Sequence, residues 1–154
     1  MKHVLRISRR IDYGLRAMLL LSSLPPRTTV SRRELALRID VPEPFLAKIL
    51  KTLVDRGLVR SARGSRGGYA LARPADAVSF LDVIEAVEGP VAINACLDGD
   101  GSCGRAPSCT MLPVWRAGQE RMLDVFRQVK LSKLALEDGG PGVGLVQLSG
   151  AACG

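Results

Sequence analysis

Histidine is almost absent from this chain: among 154 residues only His3 carries an imidazole. That scarcity removes the usual base from beside any cysteine or serine, so nucleophilic catalysis has no visible machinery and no enzyme is expected. It bears on metals too. Structural zinc usually takes four Cys/His ligands, often in CxxC pairs, and the chain has neither a CxxC nor a histidine near its clustered cysteines. Long apolar runs are also lacking. The best, Ala17 to Leu21, is far too short for a transmembrane helix or a secretory signal core, and Lys2, Arg6, Arg9 and Arg10 interrupt the apolar residues before it. The expected compartment is therefore the cytoplasm, with no membrane partner. Thiols stay reduced there, and clustered cysteines read as ligands or redox groups rather than as structural disulfides. Internal repeats and phosphate-binding glycine motifs are missing as well.

What the chain does have is charge, unevenly placed. Residues 1–75 hold 16 Lys/Arg against 5 Asp/Glu, whereas residues 76–154 hold 6 against 10. A basic surface of this kind favours polyanions, because binding phosphates releases their counterions.

The same half carries helical patterns in close succession. From Ser8 to Leu24 the apolar residues Ile11, Leu15, Met18, Leu19 and Leu21 keep a helical spacing, and Pro25-Pro26 ends it. Ser31-Arg32-Arg33-Glu34 has the form of a capping box ahead of Leu35, Ala36 and Ile39. After the turn Asp40-Val41-Pro42-Glu43, Pro44 suits a first helical position, and Phe45, Leu46, Ile49, Leu50, Leu53 and Val54 continue to a stop at Gly57. Two helices joined by a tight turn make a helix-turn-helix. Next, Leu58–Ala62 and Tyr69–Arg73 read as short strands around an Arg/Gly/Ser tip at 63–68. Glycines let such a tip approach a phosphate or enter a minor groove, where arginine is favoured, so the hairpin is expected to be a DNA-contacting wing.

Downstream, Cys96, Cys103 and Cys109 lie in a Gly/Asp-rich loop, with six and five residues between them. Three thiolates so spaced can converge on one soft metal centre, with Gly99, Gly101, Gly104 and Pro107 letting the loop wrap it. A zinc site and a cluster-free redox loop are the other readings. Before the loop, Ser79-Phe80-Leu81-Asp82 caps a short helix ended by Gly89-Pro90. After it, Trp115, Met122, Phe126 and Val129 keep the spacing of one apolar helix face, which by itself is compatible with an internal core. Cys153 follows the glycine-rich stretch 139–144 and is expected to be a free thiol on a flexible tail.

The order of elements, the stretches Asp12-Tyr13-Gly14-Leu15-Arg16-Ala17 and Leu58 to Tyr69, and the three cysteines together resemble the IscR and NsrR family of winged-helix regulators over roughly residues 4 to 135. The resemblance implies a mainly α fold with a small β-hairpin wing and a long C-terminal dimerisation helix. It also implies a homodimeric transcription regulator that binds a pseudo-palindromic operator and carries an iron–sulfur cluster on Cys96, Cys103 and Cys109. IscR-like members place a histidine three residues after the third cysteine, but that position here is Leu112. NsrR-like members use an aspartate of the partner's first helix, and Asp12 aligns with it. A hard carboxylate donor would leave one iron open to exchange. The expected cofactor is then a 4Fe–4S rather than a 2Fe–2S cluster, sensing nitric oxide, redox state or iron supply, with a repressor as the expected mode of action.

For DNA, Ser31, Arg32, Glu43, Pro44, Phe45, Lys48 and Lys51 are the expected contacts of the helix-turn-helix, with Arg63, Ser65 and Arg66 from the wing. The expected division is a DNA-binding domain at 1–75, a connecting helix, cysteine loop (94–111) and dimerisation helix at 76–136, and a tail at 137–154. The alternative from another class is a zinc- or thiol-stabilised nucleic-acid-binding or interaction protein without sequence specificity.

Overall fold

Helix α1 (Arg9–Ser23) begins where the Ser8 hydroxyl accepts a hydrogen bond from the Ile11 amide at 3.2 Å, and it ends at Ser23, two residues before Pro25. In the computed structural model, which describes residues 7–65, 67–99 and 103–135, α1 is the central element of the fold. It packs against α3 (Glu43–Asp55), α4 (Phe80–Glu88) and α6 (Leu131–Ala135). The approach is close because Gly14 has no side chain: a Cβ there would lie 2.8 Å from Val87 Cγ2 on α4.

α2 (Arg32–Arg38) turns into α3 through Asp40, whose left-handed φ of 53° is one that aspartate tolerates better than most residues. Only half of the expected capping box forms here. Ser31 accepts from the Glu34 amide at 3.2 Å, while the Glu34 carboxylate lies 3.7 Å from Arg38 one turn on, an ion pair that draws it away from the cap. The complete box is at α4, where Ser79 Oγ accepts from the Asp82 amide and the Ser79 amide donates to Asp82 Oδ2 at 2.7 Å.

Strands β1 (Val59–Ala62) and β2 (Gly68–Leu71) pair antiparallel, with Arg60 opposite Ala70 and Ser61 opposite Tyr69. Val30, from the α1–α2 connection, adds a rung on the free side of β2 through two backbone hydrogen bonds with Tyr69 of 3.0 and 2.8 Å. That third segment explains Gly68. Its φ is 153°, and a Cβ would fall 2.5 Å from the Val30 carbonyl oxygen.

The cysteine loop leads into α5 (Leu112–Gln128), and the chain then returns to the start of α4. There the Phe80 amide donates to Val129 O at 2.8 Å and the Leu131 amide to Val78 O at 3.0 Å. Val129 has extended ψ and lies beyond α5, so it leaves the helical face that its spacing suggested. One buried cluster runs from Ile11 and Leu15 through Leu35, Leu46, Leu50 and Val59 to Val83, Val87 and Leu131, continuous across residue 75. The expected tail at 137–154 lies outside the described residues.

Candidate nucleic-acid interface and cysteine loop

α3 is two-faced. Leu46, Ile49, Leu50 and Leu53 are buried, which turns Pro44, Phe45, Lys48 and Lys51 to solvent on the other side. The Lys51 ammonium lies 2.7 Å from Asp55, both groups well exposed, so the pair is weak and a phosphate can displace it. Arg32 Nε donates to Glu43 Oε1 at 2.8 Å, tying the start of α2 to the start of α3. The Glu43 hydrogen bond and charge push the Arg32 pKa up, so the guanidinium stays charged. These two expected DNA contacts are thus engaged with each other. Ser31, although exposed, is committed to its cap.

Arg63 and Ser65 project at the wing tip, which a 2.9 Å hydrogen bond from the Gly67 amide to Gly64 O closes. Arg66 lies outside the described residues. α1 adds two residues that the helix-turn-helix pattern did not single out. Arg10 Nη2 donates to Thr52 Oγ1 at 3.2 Å, and Arg9 and Arg10 join Tyr13, Phe45, Lys48 and Lys51 around a groove of about 720 Å3 that no carboxylate lines. The sequence signal was there, as two arginines directly after the Ser8 cap. Their place beside α3 depends on tertiary packing and could not be read locally.

The cysteines sit at turn positions. Cys96 lies within a 3₁₀ turn at Ala95–Leu97, the Cys103 carbonyl accepts from Ala106 to start a second at Ala106–Ser108, and the Cys109 carbonyl accepts from Leu112 at the start of α5. All three are free, half-buried thiols. The loop is anchored at its beginning, where the Ile93 amide donates to Gln119 Oε1 of α5 at 3.0 Å. Just before it, Glu88 accepts a hydrogen bond from Ser8, the cap of α1. A groove of about 430 Å3 lies beside that carboxylate, with Ile11, Ile84, Glu88, Val91, Ile93 and Phe126 in its wall.

By chemistry the donor set suits a soft metal centre: three unpaired thiols on one loop. By geometry it is not preassembled, since no group of three or more His, Cys, Asp or Glu among the described residues could hold a metal ion. Asp12 lies on α1 with its side chain 46% exposed, and its carboxylate pairs with Arg16 at 2.9 Å. Within one chain the structure does not bring it together with the thiols. His3 and Cys153 lie outside the described residues.

A family model described as Rrf2, iron-dependent transcriptional regulator, matches residues 7–137. A protein of Mycobacterium tuberculosis strain H37Rv named as HTH-type transcriptional regulator Rv1287 is 34% identical over 131 residues, covering 85% of this chain and 81% of that one. Among solved structures, the T. potens IscR is similar with a TM-score of 0.72 at 25% identity, over 90% of this chain and 94% of that one. CymR, described as the global cysteine regulator of B. subtilis, is similar with a TM-score of 0.67 at 28% identity, over 86% and 98%.

Proposed function

Because the chain belongs to the Rrf2 family of transcriptional regulators, we propose that it binds a specific operator as a homodimer and that an iron–sulfur cluster on its cysteine loop sets its affinity for that DNA. The DNA half of this reading is carried by the outer face of α3, where Lys48 and Lys51 share a carboxylate-free groove with Arg9 and Arg10 beside a glycine-closed wing. Four cations around one groove, of which only Lys51 has an ion-pair partner among the described residues, in Asp55, and that an exposed one, are what a phosphate backbone requires. The first turn of a recognition helix is where base edges are met.

Cys96, Cys103 and Cys109 would hold the cluster, with Asp12 of a second copy as fourth ligand. When bound, the cluster supplies redox chemistry and an iron site reactive toward small molecules such as nitric oxide. The family's description as iron-dependent supports this choice over zinc. The chain's own residues carry the response. Gln119 and Glu88 anchor the start of the loop to α5 and to the Ser8 cap, and the next residues of α1 are Arg9 and Arg10. A change in the loop therefore has a short covalent and hydrogen-bonded route to the DNA face. We read the protein as a repressor, with the cluster-bound form holding the operator.

A second reading keeps the DNA face and makes the loop a cluster-free thiol switch. It is favoured by the absence of a preassembled donor cage among the described residues. Anaerobic purification with iron and sulfide analysis separates the two: stoichiometric iron and sulfide with visible absorption support the cluster, and their absence supports the thiol switch. Fluorescence anisotropy on operator and scrambled duplexes at several salt concentrations tests the DNA half. Equal affinity for both duplexes, in every state of the loop, would leave only a nonspecific nucleic-acid binder.

A further inference from the structure

Phe45 is the aromatic ring that α3 turns toward solvent. It is 62% exposed in the first turn of α3, where burial would gain much from so large an apolar ring. The other residues of its groove give it a setting. Arg9, Arg10, Lys48 and Lys51 surround it, and no Asp or Glu lines the space. An apolar protein partner would have to bury those cations, whereas DNA would neutralise them with phosphates and bring base edges to the first turn of the helix. A phenyl ring has no donor or acceptor. In the major groove the apolar feature that a base presents is the C5-methyl of thymine, and the minor groove presents none.

We infer that Phe45 is a specificity-determining residue of the operator-binding reading, on which this inference rests: its ring packs against a thymine methyl in each half-site and selects thymine there. Lys48, one turn further, fixes the register on a phosphate. Phe45 then reads one base through shape alone, while the cations around it supply affinity that is blind to sequence.

The test isolates the methyl. An operator is selected from a random duplex pool with the purified full-length protein, and each of its thymines is replaced singly by deoxyuridine, which differs only in lacking that methyl. The expected result is one thymine per half-site at which the replacement weakens binding about fourfold, the worth of one buried methyl. Phe45→Ala should bind the thymine operator about tenfold more weakly, bind a scrambled duplex unchanged, and no longer distinguish thymine from deoxyuridine at that position. Phe45→Leu should keep part of the distinction. Because the ring is exposed, both variants should unfold at the temperature of the parent protein. Wild-type binding unaffected by deoxyuridine at every position would overturn the inference, as would a thymine preference that survives in Phe45→Ala. Selection that enriches no sequence would instead overturn the operator-binding reading beneath it.

Discussion

Helices α1 and α5 are both amphipathic and nearly equal in length, at 15 and 17 residues, yet α1 buries six of its residues and α5 only Leu123. Around α1 the apolar stripe is met on several sides, down to the bare Cα of Gly14 against Val87. Along α5 the second half docks, with Phe126 against Phe80 at 5.3 Å between ring centroids, but at its start Met111, Val114 and Trp115 stay exposed. Neighbouring exposed apolar side chains on one helix mark a surface that another element can cover. The winged half is thus completed within one chain, whereas the half bearing the cysteines is left open at the start of its longest helix. The open region lies beside the thiols, which is where a second copy and a metal centre would both add what one chain lacks.

The largest expected break in this comparison is at the thiols. Replacing any of Cys96, Cys103 or Cys109 with Ala should abolish iron and sulfide retention, because each removes one of few thiolates, while Cys153→Ala should retain both. The winged half does not depend on the loop for its core, so operator-independent DNA binding should persist in all four variants. Retention of iron and visible absorption by the triple variant would show that the site has been misplaced.

Next in size is the open face of α5. Trp115→Glu puts a charge where a dimer would bury an aromatic anchor, at a cost of about 2–4 kcal/mol, or roughly 30-fold to 1,000-fold in dimer dissociation constant. Light scattering coupled to gel filtration would read this as a shift from dimer to monomer. Trp115 is 40% exposed and otherwise packed within its own chain, so the variant's unfolding midpoint is measured alongside to separate lost dimerisation from lost folding. An unchanged mass would mean that α5 is covered by something other than its own counterpart.

Much of the fold was legible because its signals are local. A serine before an apolar periodicity marked α1 and α4, a proline marked the start of α3 and a glycine its end, and each acts within a few residues of itself. What escaped was long-range or short. The rung made by Val30 on Tyr69 and the Ser8–Glu88 hydrogen bond join residues 39 and 80 positions apart, and no periodicity announces them. Helix α6 spans only five residues, and it is held by the Leu131 amide on Val78 rather than by propensity. At the site, the exposure of Lys48 and Lys51 followed from the helical pattern, whereas Phe45, which that pattern counted among the apolar positions of α3, faces solvent. That Arg32 and Glu43 occupy each other, and that Arg9 and Arg10 stand beside α3, depended on how the helices cross.

One substitution made twice sharpens the contrast between the helices. Gly14→Ala forces a methyl to within 2.8 Å of Val87 Cγ2 and should destabilise the protein by about 1–3 kcal/mol, the usual cost of overpacking. Gly118 of α5 has nothing within 4 Å of where a Cβ would stand, so Gly118→Ala should stabilise by about 0.5–1 kcal/mol through helix propensity. Urea unfolding of both variants at fixed protein concentration measures the pair. If Gly118→Ala destabilises instead, another helix approaches α5 at that glycine, and the covered stretch extends further along it than Trp115.

The smallest expected effect on stability is also the most informative about the metal. Asp12 forms an exposed i, i+4 pair with Arg16, and pairs of that kind contribute about 0.3–0.5 kcal/mol, so Asp12→Ala should barely move the unfolding midpoint. Any large change in the iron centre would then come from lost ligation rather than from a weakened helix. A ligand supplied across the dimer makes a further, separate demand. Mixing Asp12→Ala chains with chains lacking the three cysteines should restore one complete site per heterodimer, because the intact thiols of one chain would meet the intact aspartate of the other. Spectra of Asp12→Ala indistinguishable from wild type would remove the aspartate from the site. Altered spectra that mixing does not restore would place its influence within its own chain, through Arg16.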